Sequence, residues 1–240
     1  MKNIEFTSDG RKLKGTIIYP ESLKEKNPTI LFVHGWTSEK GRSYQYAEEL
    51  AKLGYISFLF NMRGHGDSDG DINSFTIKEF LDDVLTAYDY LLKIEGVDRE
   101  NISAVGSSFG GFLVALLSEK RPIKNLVMRV PADYPNEDFV KLKTESSHGD
   151  ETIMLWRKKI KMASDTFALN ALSKFGGRIL IIEAELDDAV PHETVANYVS
   201  AVSDKNRVKH VLMKNAPHSI KEGPFKEELV RILSGWFKTL

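Results

Sequence analysis

The sequence predicts an α/β protein whose mostly parallel sheet is covered by helices on both faces. Short, continuously apolar runs recur along the chain, as expected of strands that are buried on both faces. Segments with apolar residues at helical spacing separate these runs, and such alternation is typical of a parallel sheet. The chain has 240 residues, enough for one domain with a large core.

The strands are predicted in chain order. Residues 4–7 and 13–19 are short apolar runs on either side of Ser8-Asp9-Gly10, a turn signal, and together they predict an N-terminal β-hairpin. The strands after this hairpin share a continuous apolar run and are predicted at residues 29–33, 55–60, 101–105, 125–130, 178–183 and 208–213.

The clearest predicted helix covers residues 76–95, where apolar side chains keep to one face. Thr76 and Glu79 have the spacing of a capping box, and Gly96 is a C-terminal stop signal. The helices that this pattern predicts elsewhere are residues 44–53, 109–117 and 225–240.

The alternation breaks down in residues 131–175, which we interpret as a small lid inserted into a single domain of residues 1–240. A basic run at residues 157–161 lies within it and is interpreted as a solvated helix face. Trp156 recurs at helical spacing with other apolar residues. Ordinary packing within the lid and lining of an acyl or aryl pocket both remain open for this side chain.

Composition excludes several classes of function. The formal net charge is −1, which provides no long-range field for nucleic acid or an anionic membrane. The absence of cysteine excludes a thiolate nucleophile, a disulfide framework and a cysteine-ligated metal. No apolar run approaches the length of a membrane span, and the first residues lack the pattern of a signal peptide, so we expect a cytoplasmic protein.

One pentapeptide, Gly106-Ser107-Ser108-Phe109-Gly110, matches the G-x-S-x-G pattern of a nucleophile elbow. A predicted strand enters it and a predicted helix leaves it, as the elbow requires. Ser108 is therefore the predicted nucleophile, because the sharp turn would project its hydroxyl above the sheet. The alternative is a turn rich in Gly and Ser that only packs tightly. Ser107 lacks the flanking glycines at the required offsets.

An activated serine needs a histidine base and a carboxylate that orients the histidine. The loop after residues 178–183 contains three acidic candidates, Glu185, Asp187 and Asp188. His218 follows the last predicted strand, which is the place expected of the base. The histidines without this placement are His34, His65, His148, His192 and His210.

Five motifs in order resemble the α/β-hydrolase-fold esterases, and they are closest to the cinnamoyl or feruloyl esterase-like and monoglyceride-lipase-like group. They are LFVHGW at 31–36, RGHGDS at 63–68, the serine elbow, Asp187 with Val190-Pro191, and His218. The resemblance covers nearly the whole chain, and residues 131–175 match least. It implies the α/β-hydrolase fold, and it implies Asp187 as the acid because the family's aspartate lies three residues before Val-Pro.

The resemblance also implies an oxyanion hole of two backbone N–H groups. The residue after the nucleophile, Phe109, is one donor. Trp36 is implied as the other, and His34 and His65 are implied as structural histidines. Trp36, Phe109 and Trp156 are candidates for lining the substrate pocket.

Together these residues predict hydrolysis of small carboxylic esters, with short-to-medium acyl or cinnamoyl-type groups, through an acyl-enzyme on Ser108. No cofactor or metal is expected. A thioesterase, an amidase or peptidase, or an acyltransferase would use the same triad. A small-molecule-binding protein without catalytic activity is the alternative from another class.

Overall fold

Eight strands form one sheet in the computed structural model, which describes residues 1–146 and 151–240. The strands are β1 Lys2–Ser8, β2 Arg11–Ile18, β3 Asn27–Val33, β4 Ile56–Phe60, β5 Val97–Ser107, β6 Asn125–Arg129, β7 Arg178–Leu186 and β8 Val208–Pro217. Their order across the sheet is β1-β2-β4-β3-β5-β6-β7-β8. β2 pairs antiparallel with β1 and β4, and every other pair is parallel. The predicted fold class, an α/β-hydrolase fold with a mostly parallel sheet, is confirmed.

Helices cover both faces of this sheet. The α-helices in the described ranges are α1 Tyr44–Ala51, α2 Ile77–Leu91, α3 Phe109–Lys120, α4 Glu151–Arg157, α5 Phe167–Lys174, α6 His192–Ala201 and α7 Pro224–Phe237. Short 3₁₀ helices lie at Lys40–Ser43, Ile72–Ser74, Asn136–Val140, Lys143–Ser146 and Lys205–Arg207. None of the helices in residues 1–146 and 151–240 combines the length and apolarity that a membrane crossing requires.

The side chains of the central strands divide between two apolar clusters. Ile30 and Phe32 of β3 pack with α1 and α7, whereas Leu31 and Val33 pack with α2 and α3 on the opposite face. Successive side chains of a strand point to opposite faces, so a strand that is covered on both sides must be apolar throughout. This requirement explains the continuous apolar runs in the sequence.

Two structures predicted from local sequence patterns, a hairpin turn and a capping box, are confirmed. Asp9 and Gly10 both have positive φ, 46° and 74°, as the turn of a tight hairpin requires, and they join β1 to β2. At the start of α2, Thr76 accepts a hydrogen bond from the backbone of Glu79, and the Glu79 side chain accepts one from Thr76. The predicted capping box is therefore present.

The segment that the sequence assigned to a lid, residues 131–175, contains two unlike parts. Residues 147–150 lie outside the described residues. α4 and two short 3₁₀ helices form the irregular part, whereas α5 packs against α3. The buried side chains of α5 join the apolar cluster beneath α3, so this helix belongs to the layer that covers the sheet.

Close backbone packing at the elbow leads to a prediction about Gly110. A Cβ atom at this position would lie 2.2 Å from the Val33 carbonyl oxygen and 2.6 Å from that of His34. We expect Gly110→Ala to lower the free energy of unfolding by about 3 kcal/mol or more, because backbone atoms must move. Urea unfolding followed by circular dichroism measures the change.

Gly235 provides the matched control for this substitution. It lies exposed in α7, and a Cβ there would meet no atom within 4 Å. Gly235→Ala is expected to raise the free energy of unfolding by about 0.5 to 1 kcal/mol, because alanine has the higher helix propensity. Equal midpoints for Gly110→Ala and the wild type would contradict the packing argument.

Candidate active site

Ser108 lies on the sharp turn between β5 and α3 in a strained backbone conformation. Its φ and ψ are 53° and −115°, a region that residues other than glycine rarely occupy. Neighbouring backbone groups hold it there. Its N–H donates to the Arg129 carbonyl at 2.9 Å, and its carbonyl accepts from Phe112 and Ala132 at 3.2 and 3.1 Å. Such strain is a recognised feature of catalytic turns.

The sheet register brings the loop after β3 beside this turn. Val33 pairs with Gly106, so the chains that continue from each residue run on together at the same edge. A Cβ on Gly35 would lie 3.4 Å from the Ser108 Cβ atom. The same Cβ would lie 3.1 Å from the Ser107 carbonyl oxygen, so a side chain at this position would require the elbow backbone to move by a few tenths of an ångström.

Two backbone N–H groups remain available next to Ser108. Within residues 1–146 and 151–240, neither the Trp36 nor the Phe109 N–H donates a hydrogen bond. The Trp36 indole packs edge-on against the Phe109 ring, with 6.0 Å between the ring centres. Free N–H groups beside a nucleophile can bind an oxyanion.

His34 stabilises the loop that contains Trp36. Its Nδ1 donates to the Gly35 carbonyl at 2.8 Å, and its Nε2 accepts from the Met62 N–H at 3.1 Å. Burial, aided by the nearby His65 ring, lowers the pKa of His34 to about 3. The imidazole is therefore neutral, and both nitrogens are used in holding the backbone. His65 is also buried, and its Nδ1 donates to the Arg63 carbonyl at 2.9 Å.

Asp187 and His218 meet because of the pairing between β7 and β8. Leu186 pairs with Pro217 at the ends of these strands, which makes the next residue of each chain a neighbour of the other. His218 Nδ1 lies 2.8 Å from both carboxylate oxygens of Asp187. The N–H groups of Ala189 and Val190 donate to one of those oxygens at 2.9 and 2.7 Å.

This arrangement orients the histidine. An ionised carboxylate accepts hydrogen bonds only, so Nδ1 of His218 carries the hydrogen and Nε2 is left to accept a proton. The other acidic candidates are placed differently. Glu185 binds the Lys214 ammonium and the Asn215 N–H at 2.9 and 2.8 Å, and Asp188 is exposed.

Glu183 binds two of the histidines that lack the placement expected of the base. His192 Nδ1 lies 2.5 Å from one Glu183 oxygen, and His210 Nε2 lies 2.7 Å from the other. The hydrogen bond to Glu183 raises the pKa of His192. This carboxylate therefore links α6 to β8 below the site. His148 lies outside the described residues.

Ser108 and His218 are both described by the structure, but their side chains are not joined by a hydrogen bond. In the part of the chain that the structure describes, Ser108 Oγ makes no hydrogen bond to His218. Catalytic hydrogen bonds in ligand-free proteins are often long and shorten only when substrate binds. Ser108, His218 and the loop that contains Trp36 nevertheless lie at one edge of the sheet.

Arg129 is a residue of this site that sequence analysis missed. It ends β6, pairs with Ser107 in the sheet register, and is 9% exposed. Its guanidinium donates to the carbonyl oxygens of His218 and Pro217 at 2.6 and 3.3 Å, and to Ser107 Oγ at 3.3 Å. The available signal was a charged residue that follows the apolar residues 126–128 of a predicted strand.

A cavity of about 320 Å³ adjoins the site. Gly35, Trp36, Ser107 and His218 lie on its wall, and α1 and α7 close its far side. Trp156 does not contribute to this cavity. It is half-buried in α4, and the Lys161 ammonium lies 3.7 Å from the centre of its ring.

Comparison with known proteins places this chain in a family. A family model described as serine aminopeptidase, S33, matches residues 24–161. The mitochondrial palmitoyl-protein thioesterase ABHD10 of Bos taurus is 27% identical over 220 residues, covering 83% of this chain and 70% of that protein. The dipeptidyl-peptidase 5 of Porphyromonas endodontalis is 27% identical over 201 residues, covering 75% of this chain and 28% of that protein.

Solved structures share the fold. Est1E from Butyrivibrio proteoclasticus, solved with ferulic acid bound, superposes with a TM-score of 0.77 at 20% identity and covers 98% of both chains. At this level of identity, the likeness extends to the arrangement of strands and helices.

Proposed function

The chain belongs to the serine aminopeptidase S33 family of α/β-hydrolases, and from this premise we propose that it is a serine hydrolase that cleaves carboxylic esters. Ser108 is the nucleophile, His218 the base and Asp187 the residue that orients the base. The backbone N–H groups of Trp36 and Phe109 form the oxyanion hole.

The reaction is acyl transfer in two steps. Ser108 Oγ attacks the ester carbonyl while His218 Nε2 takes the hydroxyl proton, and the proton then passes to the departing alcohol. A water molecule attacks the resulting acyl-serine, His218 again takes and returns the proton, and the carboxylic acid leaves. In each step the Trp36 and Phe109 N–H groups stabilise the negative charge on the carbonyl oxygen.

The backbone of Ser108 is the observation that carries this proposal. Its φ of 53° and ψ of −115° on a strand-to-helix turn are costly, and a turn that only packs tightly could use glycine there without strain. The presence of a strained serine at the edge that also holds the Asp187–His218 pair favours a nucleophile.

Thioester cleavage is the second candidate. The bovine relative that covers 83% of this chain is named a palmitoyl-protein thioesterase. The same serine, histidine and oxyanion hole would cleave either an ester or a thioester, because the carbonyl carbon is attacked in both cases. The leaving group alone differs.

A substrate panel separates these candidates. The panel contains p-nitrophenyl esters from acetate to palmitate, methyl ferulate, and the acyl-coenzyme A thioesters with the same acyl groups. We expect the wild type to have a higher kcat/KM for its best ester than for the thioester with the same acyl group. Higher kcat/KM for thioesters would replace the ester assignment by the second candidate. A protein inactive on the whole panel and unlabelled at Ser108 by a fluorophosphonate would contradict the hydrolase proposal.

A further inference from the structure

The cavity beside Ser107 and His218 is apolar along one part of its wall and polar along the rest. Its volume, about 320 Å³, is at the lower end of the range for small-molecule sites. The interior side chains come from four strands and from α7: Phe32, Val105, Val127, Ile182, Leu229 and Leu233. This part of the wall would accept an aliphatic or aromatic group.

The charges on the cavity wall are all positive. Arg129, Arg42 and Lys221 contribute to it, and none of the residues that line it within the described ranges is Asp or Glu. The chain as a whole has a formal net charge of −1, so this excess of cations is local. Hydroxyl groups of Ser38, Ser43 and others on the wall add hydrogen-bond donors.

Arg129 has no ionic partner inside the described protein. Its hydrogen bonds go to carbonyl and hydroxyl oxygens, and its Nε is buried without a partner among the described residues. Burial lowers the pKa of Arg129, opposed by Tyr46 and Asp187, yet a guanidinium remains charged in proteins. By contrast, the fully buried Arg63 has the Asp83 carboxylate at 2.7 Å.

A buried cation on a cavity wall that contains no carboxylate among its described residues is stabilised by an anion that enters the cavity. We propose that this cavity binds a carboxylate carried by the substrate, with Arg129 as its principal partner and Arg42 and Lys221 as weaker ones. The inference rests on the proposed ester hydrolysis and names its substrate class. Gly35 and His218 line this cavity and also lie at the edge of the sheet that holds Ser108. A bound carboxylate and the reacting carbonyl would therefore belong to one molecule.

Three esters test this inference, each corrected for its spontaneous hydrolysis, through the change in their relative kcat/KM between the wild type and a variant, which cancels differences in leaving-group reactivity. p-Nitrophenyl butyrate is neutral, mono-p-nitrophenyl glutarate has the carboxylate on the acyl group, and 4-butanoyloxybenzoate has it on the leaving group. We expect the wild type to prefer one anionic ester, which identifies the part of the substrate that enters the cavity. Arg129→Met is expected to lower that preference about tenfold or more, and Arg42→Gln by a smaller factor. Lys209→Gln, an exposed cation away from the cavity, should leave the preference unchanged.

The same experiment exposes the alternative that Arg129 only positions His218. In that case Arg129→Met would lower kcat/KM for all three esters by one factor, and the carboxylate proposal would be wrong. If Arg129→Met does not fold, Arg129→Lys and Arg42→Gln keep the test usable. Arg129→Lys keeps the positive charge but not the planar guanidinium.

A binding measurement is independent of hydrolysis. Hexanoate and hexanamide are titrated calorimetrically into the Ser108→Ala protein. We expect hexanoate to bind at least tenfold more tightly, and Arg129→Met in the same background to remove this difference. A preference for hexanoate that survives Arg129→Met, or no preference, would overturn the carboxylate site. If the wild type hydrolysed none of the esters while Ser108→Ala bound hexanoate as expected, only the proposed reaction would be overturned.

Discussion

Ser108→Ala is expected to lower kcat for the best ester of the substrate panel by at least a thousandfold, with KM changed by less than a few-fold. The substitution removes the only atom that forms the acyl-enzyme, while the oxyanion hole and the cavity remain, so residual hydrolysis stays above the rate in water. Initial rates at neutral pH measure the loss, and mass spectrometry checks that a fluorophosphonate adduct forms on wild type alone.

Two other serines serve as comparisons. Ser107 is the neighbouring hydroxyl, which accepts a hydrogen bond from Arg129, and Ser107→Ala is expected to cost less than tenfold. Ser118, whose Oγ donates to a carbonyl within α3, provides a control away from the site, and Ser118→Ala should leave kcat unchanged. A large loss for Ser107→Ala together with full activity of Ser108→Ala would reverse the assignment of the nucleophile.

Asp187→Asn is expected to lower kcat/KM by about a thousand- to ten-thousandfold. The carboxylate receives the Nδ1–H of His218 and stabilises the imidazolium that forms during the reaction. A neutral amide of the same shape removes the charge and can donate to Nδ1, which would place the histidine hydrogen on Nε2 and block its role as base.

Asp188→Asn is the matched control, since the substitution is the same and the side chain is exposed. We expect it to retain at least half of the wild-type kcat/KM. Thermal unfolding of both variants, followed by circular dichroism, separates lost catalysis from lost structure. If Asp188→Asn or Glu185→Gln lost the activity while Asp187→Asn kept it, the acid would have been assigned wrongly.

Local patterns were sufficient for the elements that build the site. A hairpin turn, a capping box and a continuous apolar strand each depend on residues within a few positions of one another, so β1, β2 and α2 could be predicted from the chain. The ends of elements were less certain. β5 begins at Val97, ahead of the predicted residue 101, because Val97 pairs with Asn27 of β3 and the strand therefore includes the polar residues 98–100.

Residues 131–175 show where local patterns failed to distinguish two roles. The apolar face of α5 looks the same in the sequence whether it covers the sheet or a substrate. Only the position of α3 shows that its buried residues belong to the helical layer.

The sequence by itself determined the fold class, the elbow that holds Ser108 and the two loops that contain Asp187 and His218, because these follow from hydrophobic period and turn chemistry. The family resemblance implied Asp187 as the acid, but only the tertiary structure shows the contact between Asp187 and His218, since that contact depends on the register of β7 against β8. The tertiary structure also decided that Arg129 lies on a cavity wall without a salt bridge to any described carboxylate, because burial and charge pairing depend on packing between distant segments.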